Sequence, residues 1–524
     1  MSELENFIYL CNFNILNKID MSKRMLFLCI LLICSTISRS QDTLFLSENF
    51  VVDMGDTLEI SPNTVVYMRG GVAFTIIGTI YARGTAEEPI IFTSSFDEQD
   101  PTSTSWRGFK FSMTDDNTIA DSSIFEHCIF EHAHAYQNCS NNGQGGAMEL
   151  ENSSRIRFSN CTFRDNYSNY CGAAVYAINS NCIFDHCLFE DNVLNEETSS
   201  VGGALYMQAS DFTMTNSAVK SSRSGSVGGG ICCMYCDAAK IINSEIAYNI
   251  GSTGGGCFIY GSSNMLFVNN LIHHNTGSFF GGGLGLSNDS FKIINCNIVD
   301  NNAGQGGGVY CSSKVTINVY NTIFAKNSIH EGANGPQIYI AYFESTTNLF
   351  NCVLEQGRYM VGGGGGGVAF HGIYSEIIED EIEFVSCGND FEYCLNENSP
   401  CVNAGSSKTN AELPAYDING TQRILDNIVD IGAFEYDNSV GITNYTSNNQ
   451  TIKVFPNPAS EFITVEVEND DRIQHDIVIV SILGNTVKKT SCYNDCNTIS
   501  INDLANGVYI LRYDNKVAKF VVSH

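Results

Sequence analysis

Short runs in which every second side chain is apolar fill most of this chain, and glycine or asparagine ends nearly every run. Alternation with a period of two predicts strands with one buried face. Residues 301–327, NNAGQGGGVYCSSKVTINVYNTIFAKN, show a whole unit: a glycine cluster, an apolar strand, a second apolar strand ending at asparagine, then Phe-x-x-Asn. The clusters begin at Gly145, Gly172, Gly202, Gly228, Gly254, Gly281, Gly306 and, more loosely, Gly335, with gaps of 27, 30, 26, 26, 27, 25 and 29 residues. A strand-rich period in the twenties predicts a solenoid whose repeats bury their apolar faces only against their neighbours.

Three and five places after each glycine the residues are apolar, from Met148 and Leu150 through Ile231 and Cys233 to Ile338 and Ile340, so both columns line the core. The position between them faces outward and holds Glu149, Tyr176, Tyr206, Cys232, Phe258, Gly285, Tyr310 and Tyr339. The second strand ends in the column Asn160, His186, Asn216, Asn243, Asn269, Asn295, Asn321 and Asn351. Core residues stand four and two places before this column but three after it, so a bend is expected there. Asparagine tolerates the left-handed conformation of such a bend, and its amide can bond its equivalent one coil away, about 4.8 Å distant, as a structural ladder. The expected fold is all-β: a right-handed single-stranded parallel β-helix over residues 41–390, with its opening coils in 55–95. Glycine density and period-two alternation exclude an α-solenoid.

Gly-Gly-Ala-Met at 145–148 and Gly-Gly-Ala-Leu at 202–205 pair with Phe163-x-x-Asn166, Phe189-x-x-Asn192 and Phe324-x-x-Asn327. Together they resemble the repeats of chlamydial polymorphic outer-membrane proteins and, more widely, of bacterial right-handed β-helix surface proteins. The resemblance implies the fold and leaves the activity open, because many activities ride on this scaffold.

At 524 residues the chain exceeds one ordinary compact core, which a solenoid accommodates by adding coils. Its 57 acidic against 27 basic residues give a net charge of −30 and argue against nucleic acid or an anionic membrane as partner. No cofactor or metal is expected; an acidic surface can hold Ca²⁺, but such charge more simply provides solubility.

Residues 21–40, MSKRMLFLCILLICSTISRS, join basic Lys23 and Arg24 to an apolar run from Met25 to Ile33 and small Ser38 and Ser40, the pattern of a signal peptide cleaved before Gln41. The run is too short for a transmembrane span, and no other segment reaches that length. Residues 1–20 then read as an extension or an early start codon. Export takes 18 of the 21 cysteines into an oxidising compartment. Cys128, Cys161, Cys187, Cys296 and Cys352 directly follow the bend and read as small core residues, with Cys161 and Cys187 also spaced for a disulfide. Cys232 to Cys236 read as buried thiols or a disulfide rather than a metal site, since Cys232 and Cys233 point to opposite faces. Cys492 and Cys496 are placed to close a small loop.

The composition changes after the repeats. VGGGGGGVAF at 361–370 predicts a loop near the end of the helix. SPCVNAG (399–405) and DINGTQRILDNIVDIGAFEY (417–436) resemble the choice-of-anchor module that ends many bacterial β-helix surface proteins, and residues 391–436 are assigned to it. The matching positions are Asn403, Gly405, Asp417, Gly420, Arg423, Asp430, Gly432, Phe434 and Glu435. A buried Arg423 with Asp417 or Asp430 can clamp this loop. Asp417-x-Asn419-Gly420 holds part of a calcium-loop pattern without its later ligands. Residues 437–450 are polar and breaker-rich and read as a linker. Residues 451–524 alternate as short strands between turns, predicting a small antiparallel β-sandwich.

In that tail VFPNPAS (454–460), ILGNTV (482–487), LANGVYIL (504–511) and KVAKFVV (516–522) resemble the C-terminal sorting domain of the type IX secretion system of Bacteroidetes. The motif positions are Phe455, Pro456, Asn457, Pro458, Gly484, Gly507, Val508 and Tyr509. The resemblance implies entry to the periplasm by the signal peptide, then passage through the type IX machinery to the medium or the outer cell surface.

Three functions compete for the cargo. A non-catalytic binding or adhesion factor for glycans or surface proteins would use the aromatic stripe Tyr176, Tyr206, Phe258, Tyr310 and Tyr339, whose plainer role is stacking between coils. A polysaccharide lyase or glycosidase needs a base beside a charge-neutralising group, or carboxylates about 6.5–9.5 Å apart, and Glu149 with Glu151 is the doublet to test. Asp165, Asp191 and Asp300 fall in a turn column; the His371 of Phe-His-Gly lacks companion motifs; His273-His274 lacks an evident partner and reads as turn surface. A structural spacer that associates laterally is the third. The sequence favours the first, without catalysis.

Overall fold

The computed structural model describes residues 41–94, 105–112, 123–135, 143–153, 156–195, 199–288, 290–342, 344–363, 372–387, 391–424, 428–436, 453–466, 475–481, 486–492, 496–513 and 516–523. Residues 1–40, where the signal peptide is expected, residues 437–450, expected as a linker, Gly484, His371 and most of the glycine run at 361–370 lie outside the described residues. The chain divides into two compact units, residues up to 438 and residues from 439.

The first unit is a parallel β-solenoid. Successive coils build a 12-stranded parallel sheet running from Phe50–Val52 to Val361–Gly363 and a 23-stranded sheet, and a narrower third face holds a three-stranded and a four-stranded sheet. Pairing is in register from coil to coil, as in Leu205↔Ile231↔Cys257↔Leu284↔Val309. In-register pairing at about 4.8 Å forces equivalent side chains to stack. Phe125, Phe158 and Phe184 form one column with centroids 5.1 and 5.3 Å apart, and Phe130, Phe163 and Phe189 another at 4.7 and 4.8 Å. One continuous apolar core results.

Every anchoring glycine is left-handed, with φ from 53° at Gly172 to 71° at Gly202. A Cβ at Gly202 would collide with the Leu205 carbonyl. The column therefore demands glycine, because the chain doubles back onto its own next strand.

Among the described residues the last solenoid strand is Tyr374–Ile378, paired parallel with Thr346–Leu354. The chain then makes an antiparallel hairpin, Phe384–Cys387 with Phe391–Leu395, closed by a Cys387–Cys394 disulfide. From there to Tyr436 it lies on the outside of the 23-stranded sheet, packing Ile382, Tyr393, Leu395, Ile431 and Phe434 on Leu271, Val299, Ile323, Ala325 and Val353. Cys161 and Cys187 do not pair: both are buried thiols, their Sγ atoms turned to the Phe125 and Phe158 carbonyls at 3.4 and 3.5 Å. Cys232, Cys233 and Cys236 are likewise buried thiols, whereas the side chains of Cys492 and Cys496 lie outside the described set.

The second unit holds an antiparallel three-stranded and an antiparallel four-stranded sheet. Its core is built from Ile463, Val465, Ile477, Ile479, Leu511 and Phe520. Among the described residues no helix is long and apolar enough to cross a membrane.

Candidate functional site

The bend column is left-handed throughout: Asn160, His186, Asn216, Asn243, Asn269, Asn295, Asn321 and Asn351 have φ of 49–58°. Amide bonds along it are partial. Asn243 Nδ2 donates to Asn216 Oδ1 at 2.7 Å and Asn321 Nδ2 to Asn295 Oδ1 at 3.0 Å, while Asn216 Nδ2 turns to Asp185 at 3.1 Å. The continuous buried ladder uses instead the asparagines at the Phe-x-x-Asn position, where Ile246, Ile272 and Ile298 stand in place of the phenylalanine. Asn249, Asn275 and Asn301 each donate Nδ2 to the next Oδ1, ending at Asn327, at 3.0, 3.0 and 3.1 Å. Each Oδ1 of Asn275, Asn301 and Asn327 also accepts the backbone N–H of the asparagine before it. A motif used above only to identify the repeat is thus its main polar interior.

The aromatic stripe points away from the core, yet it is covered. Tyr176, Tyr206 and Tyr339 are only 5, 7 and 7% exposed. Cys171, Val201 and Val227, each directly before an anchoring glycine, fold over Tyr176, Tyr206 and Cys232 as a second small core. Tyr176 stacks on Tyr206 at 5.4 Å, and Phe280, Tyr310 and Tyr339 stack at 4.6 and 5.6 Å, so ring faces are spent on one another. Phe258 and Tyr310 are half-buried. The row is internally packed, in line with the plainer role of stacking between coils and unlike an open platform for a ligand: alternation shows that a side chain leaves the core, not that solvent meets it.

Glu149, at the same outward position one coil earlier, is also buried. Its Oε1 accepts from Lys110 Nζ at 2.8 Å, Lys110 being its in-register neighbour on the coil before. Burial raises the carboxyl, against the pull of Lys110, while Glu151 two places on is half-buried. Glu149 and Glu151 thus occupy different surroundings, and Glu149 is engaged in an ion pair.

His273 and His274 are not turn surface. His273 is buried and its Nε2 meets Glu245 Oε1 at 3.0 Å; Glu245 Oε2 takes Lys220 Nζ at 2.7 Å. The two Nδ1 atoms of His273 and His274 lie 2.9 Å apart, Tyr393 Oη lies 3.2 Å from His274 Nδ1, and Tyr393 donates to Asp300 Oδ2 at 2.8 Å. Tyr248 stacks on the His274 ring at 4.9 Å. Burial raises the Glu245 carboxyl but hydrogen bonds from His273 and Lys220 overcome it and hold it below its ordinary value; burial holds His274 low. Two imidazoles facing through Nδ1 share one proton there, so the chain Lys220, Glu245, His273, His274, Tyr393 and Asp300 is a polar relay across adjacent coils. Its parts come from separate repeats and from the hairpin at 391–395, so no local spacing announces it.

In the segment beyond the hairpin Arg423 is fully buried, with Nη1 3.1 Å from Glu435 Oε1 and Nη2 donating to the Gly432 carbonyl. Glu435, rather than Asp417 or Asp430, is its direct partner. Asp417 Oδ1 accepts the Asn419 and Thr421 amides at 2.9 and 2.7 Å, which turns the calcium-like Asp-x-Asn-Gly into a self-closed loop, and Asp430 takes the Asn403 amide at 2.6 Å. Burial pushes the Glu435 carboxyl up to about 8 despite Arg423. The solenoid's own bend asparagines hold this segment: Asn295 Nδ2 donates to the Asp430 carbonyl at 2.8 Å, and Asn321 exchanges bonds with Ser406 at 3.0 and 2.7 Å. Among the described residues no group of three or more His, Cys, Asp or Glu is arranged to hold a metal ion.

In the second unit Phe455, Pro456, Asn457 and Pro458 are exposed. Asn457 clasps the final strand, its Nδ2 donating to the Lys519 carbonyl at 3.2 Å and its Oδ1 accepting the Val521 amide at 2.9 Å. Tyr509 is buried on Phe520 and donates to the Ala505 carbonyl at 2.9 Å, between half-buried Gly507 and Val508 and the core.

One surface stands apart. The four strands Ile250–Thr253, Thr276–Phe280, Asn302–Gln305 and Ser328–Ile329 contain no ionisable residue. The register slips on both sides of Thr276–Phe280, where three steps on this strand face two on each neighbour. This bulge leaves Phe279 63% exposed, its ring tilted at 6.3 Å to Phe280. Bulges re-aim side chains and are frequent beside functional sites.

No curated protein matches the chain. Residues 453–523 match the family described as secretion system C-terminal sorting domain, and residues 195–375 match the right handed beta helix region. The chain is therefore a right-handed parallel β-helix protein carrying a type IX sorting domain, exported by that machinery to the medium or the outer cell surface.

Proposed function

We propose that the exported β-helix is a non-catalytic binding or adhesion factor for glycans or surface proteins. The observation supporting this is the uncharged four-stranded face with its bulged, exposed Phe279, a rigidly mounted apolar group on an otherwise acidic molecule. The test is a glycan and surface-protein array probed with the full exported chain, with bound polysaccharide then analysed by mass spectrometry. Binding without chain shortening, lost in Phe279→Ala, is expected. Shortened chains would overturn the non-catalytic reading, and silence together with lateral self-association would favour a spacer.

A second reading, acid–base chemistry on a polysaccharide, draws on the Glu245, His273, His274 and Tyr393 relay, since an imidazole held by a carboxylate is a suitable proton acceptor. Depolymerisation by the wild type that His274→Ala abolishes, at unchanged melting temperature, would establish it.

A further inference from the structure

We infer that the uncharged face around Phe279 takes a neutral glycan chain lying along the solenoid axis. This rests on the binding reading above and names its ligand class.

Charge is the first argument. Against a net charge of −30, an anionic polysaccharide or nucleic acid gains nothing by approaching, and a basic protein would seek carboxylates. These four strands offer none: their sequences are Ile-Gly-Ser-Thr, Thr-Gly-Ser-Phe-Phe, Asn-Ala-Gly-Gln and Ser-Ile. The charges nearest in sequence lie at the borders: Asp300 and Lys326, two places before Asn302 and Ser328, Arg223 bridged to Ile250 on the coil before, and Glu331 three residues after Ser328.

Geometry is the second. Thr276, Asn302 and Ser328 stand in register on successive coils, and the buried Gly277 and Ala303 beside them leave these three on the outer side. They form a row of hydroxyl and amide groups repeating at about 4.8 Å, a spacing close to one sugar unit. Asn302 Nδ2 donates to Ser328 Oγ at 2.8 Å, which orients the row. Exposed Ser278 adds another hydroxyl next to Phe279. Phe279 differs from the stacked stripe because its ring is tilted and largely solvent-exposed, so it can receive the C–H face of a pyranose. A flat apolar ring beside neutral donors and acceptors is the composition expected of a site for uncharged, hydroxyl-rich chains.

The test is affinity electrophoresis and calorimetry of the full exported chain against a panel of neutral oligosaccharides (β-glucans, xylan, mannan and dextran fragments), polygalacturonate, polylysine and the surface proteins positive on the array. Wild type, Phe279→Ala and Asn302→Asp are compared at about 50 and 500 mM salt, a range over which exposed-charge attraction is screened. Binding to a neutral member that changes little with salt, at least about tenfold weaker in Phe279→Ala and weakened in Asn302→Asp, is expected. Phe279-dependent binding confined to polylysine, polygalacturonate or a protein overturns the glycan assignment while leaving the binding face in place. Neutral-glycan binding indifferent to both substitutions moves the site elsewhere and overturns the inference. Absence of any Phe279-dependent binding overturns both the inference and the reading beneath it. Phe279 is exposed, so its replacement leaves the fold intact, and an unchanged melting curve checks this.

Discussion

Replacing Asn275 with alanine should be among the most damaging single changes in the solenoid, although the residue touches no ligand. Asn275 is fully buried; its Nδ2 donates to the Ile246 carbonyl at 2.8 Å and to Asn301 Oδ1 at 3.0 Å, and its Oδ1 accepts both the backbone N–H and Nδ2 of Asn249 at 3.0 Å. Alanine leaves two N–H groups of Asn249 without their acceptor and takes one donor each from the Ile246 carbonyl and Asn301 Oδ1, inside a buried wall. Each such group costs about 1–3 kcal/mol, and with incomplete additivity the total is on the order of 3–6 kcal/mol. Asn216→Ala at the exposed bend forfeits only solvent-accessible bonds and adds the strain of a non-Asn residue at φ 50°, about 1–2 kcal/mol. Urea unfolding can be followed through Trp106, the single tryptophan, buried among the first coils, with hydrogen exchange over 245–280 reporting the local ladder. Both probes are needed because a solenoid can open section by section. Asn275→Asp supplies a sign: it keeps the acceptor but buries an anion that cannot donate, so its deficit should shrink as acid protonates it. Equal losses for Asn275→Ala and Asn216→Ala would refute the ladder as a stabilising element.

Other expectations follow from single contacts. Arg423→Met leaves the buried Glu435 carboxyl and the Gly432 carbonyl without their shared partner, so a loss of about 2–5 kcal/mol and early protease cutting within 391–436 are expected, with the remaining coils protected longer. Gly203→Ala should fail to accumulate as folded protein, since its Cβ would strike the Gly229 carbonyl, whereas Gly332→Ala, with nothing within 4 Å, should cost only the strain of its φ of 83°, about 1–2 kcal/mol. Glu245 is held below its unfolded value, so its contribution is present above about pH 4.5 and lost as pH falls through its folded value; His274, also held low, adds loss below about pH 6.5. The melting-temperature gap between wild type and Glu245→Gln should therefore hold from about pH 7 to 5 and narrow below about pH 4.5, and a gap constant down to about pH 2 would refute the relay. Alkylation of the native protein near pH 8 should proceed slowly even at half-buried Cys171, whose thiol burial pushes up to about 12, and rapid labelling of Cys161 or Cys187 would contradict their burial.

Much of this protein is local and therefore written in its sequence. A glycine every 25 to 30 residues, alternation on either side, and an asparagine where parity breaks specify a coil, because each coil needs only its neighbour to complete its core. Even the bulge that lifts Phe279 leaves a trace, since the spacing lengthens to 27 residues before Gly281 and shortens to 25 after it. The outward positions also signal what covers them. They are polar at Arg164, Glu190 and Lys220 but apolar at Val299, Ile323 and Val353, where the segment beyond the hairpin packs.

Tertiary structure alone decided which outward residues meet solvent. Parity places Tyr206 and Glu149 outside the core, yet both are buried; over Tyr176, Tyr206 and Cys232 the cover comes from Cys171, Val201 and Val227 ahead of the glycines, and that depends on the path of the turn rather than on the strand. It also decided which asparagine column carries the ladder: both columns repeat alike in sequence, but Asn249, Asn275 and Asn301 bond to the next coil inside the solenoid, whereas at the bend Asn216 is exposed and the buried Asn295 and Asn321 turn partly to the segment beyond the hairpin. The relay from Lys220 to Asp300 was invisible for the same reason, since its six side chains come from four coils and the end hairpin, and only stacking at coil height brings them within hydrogen-bond reach.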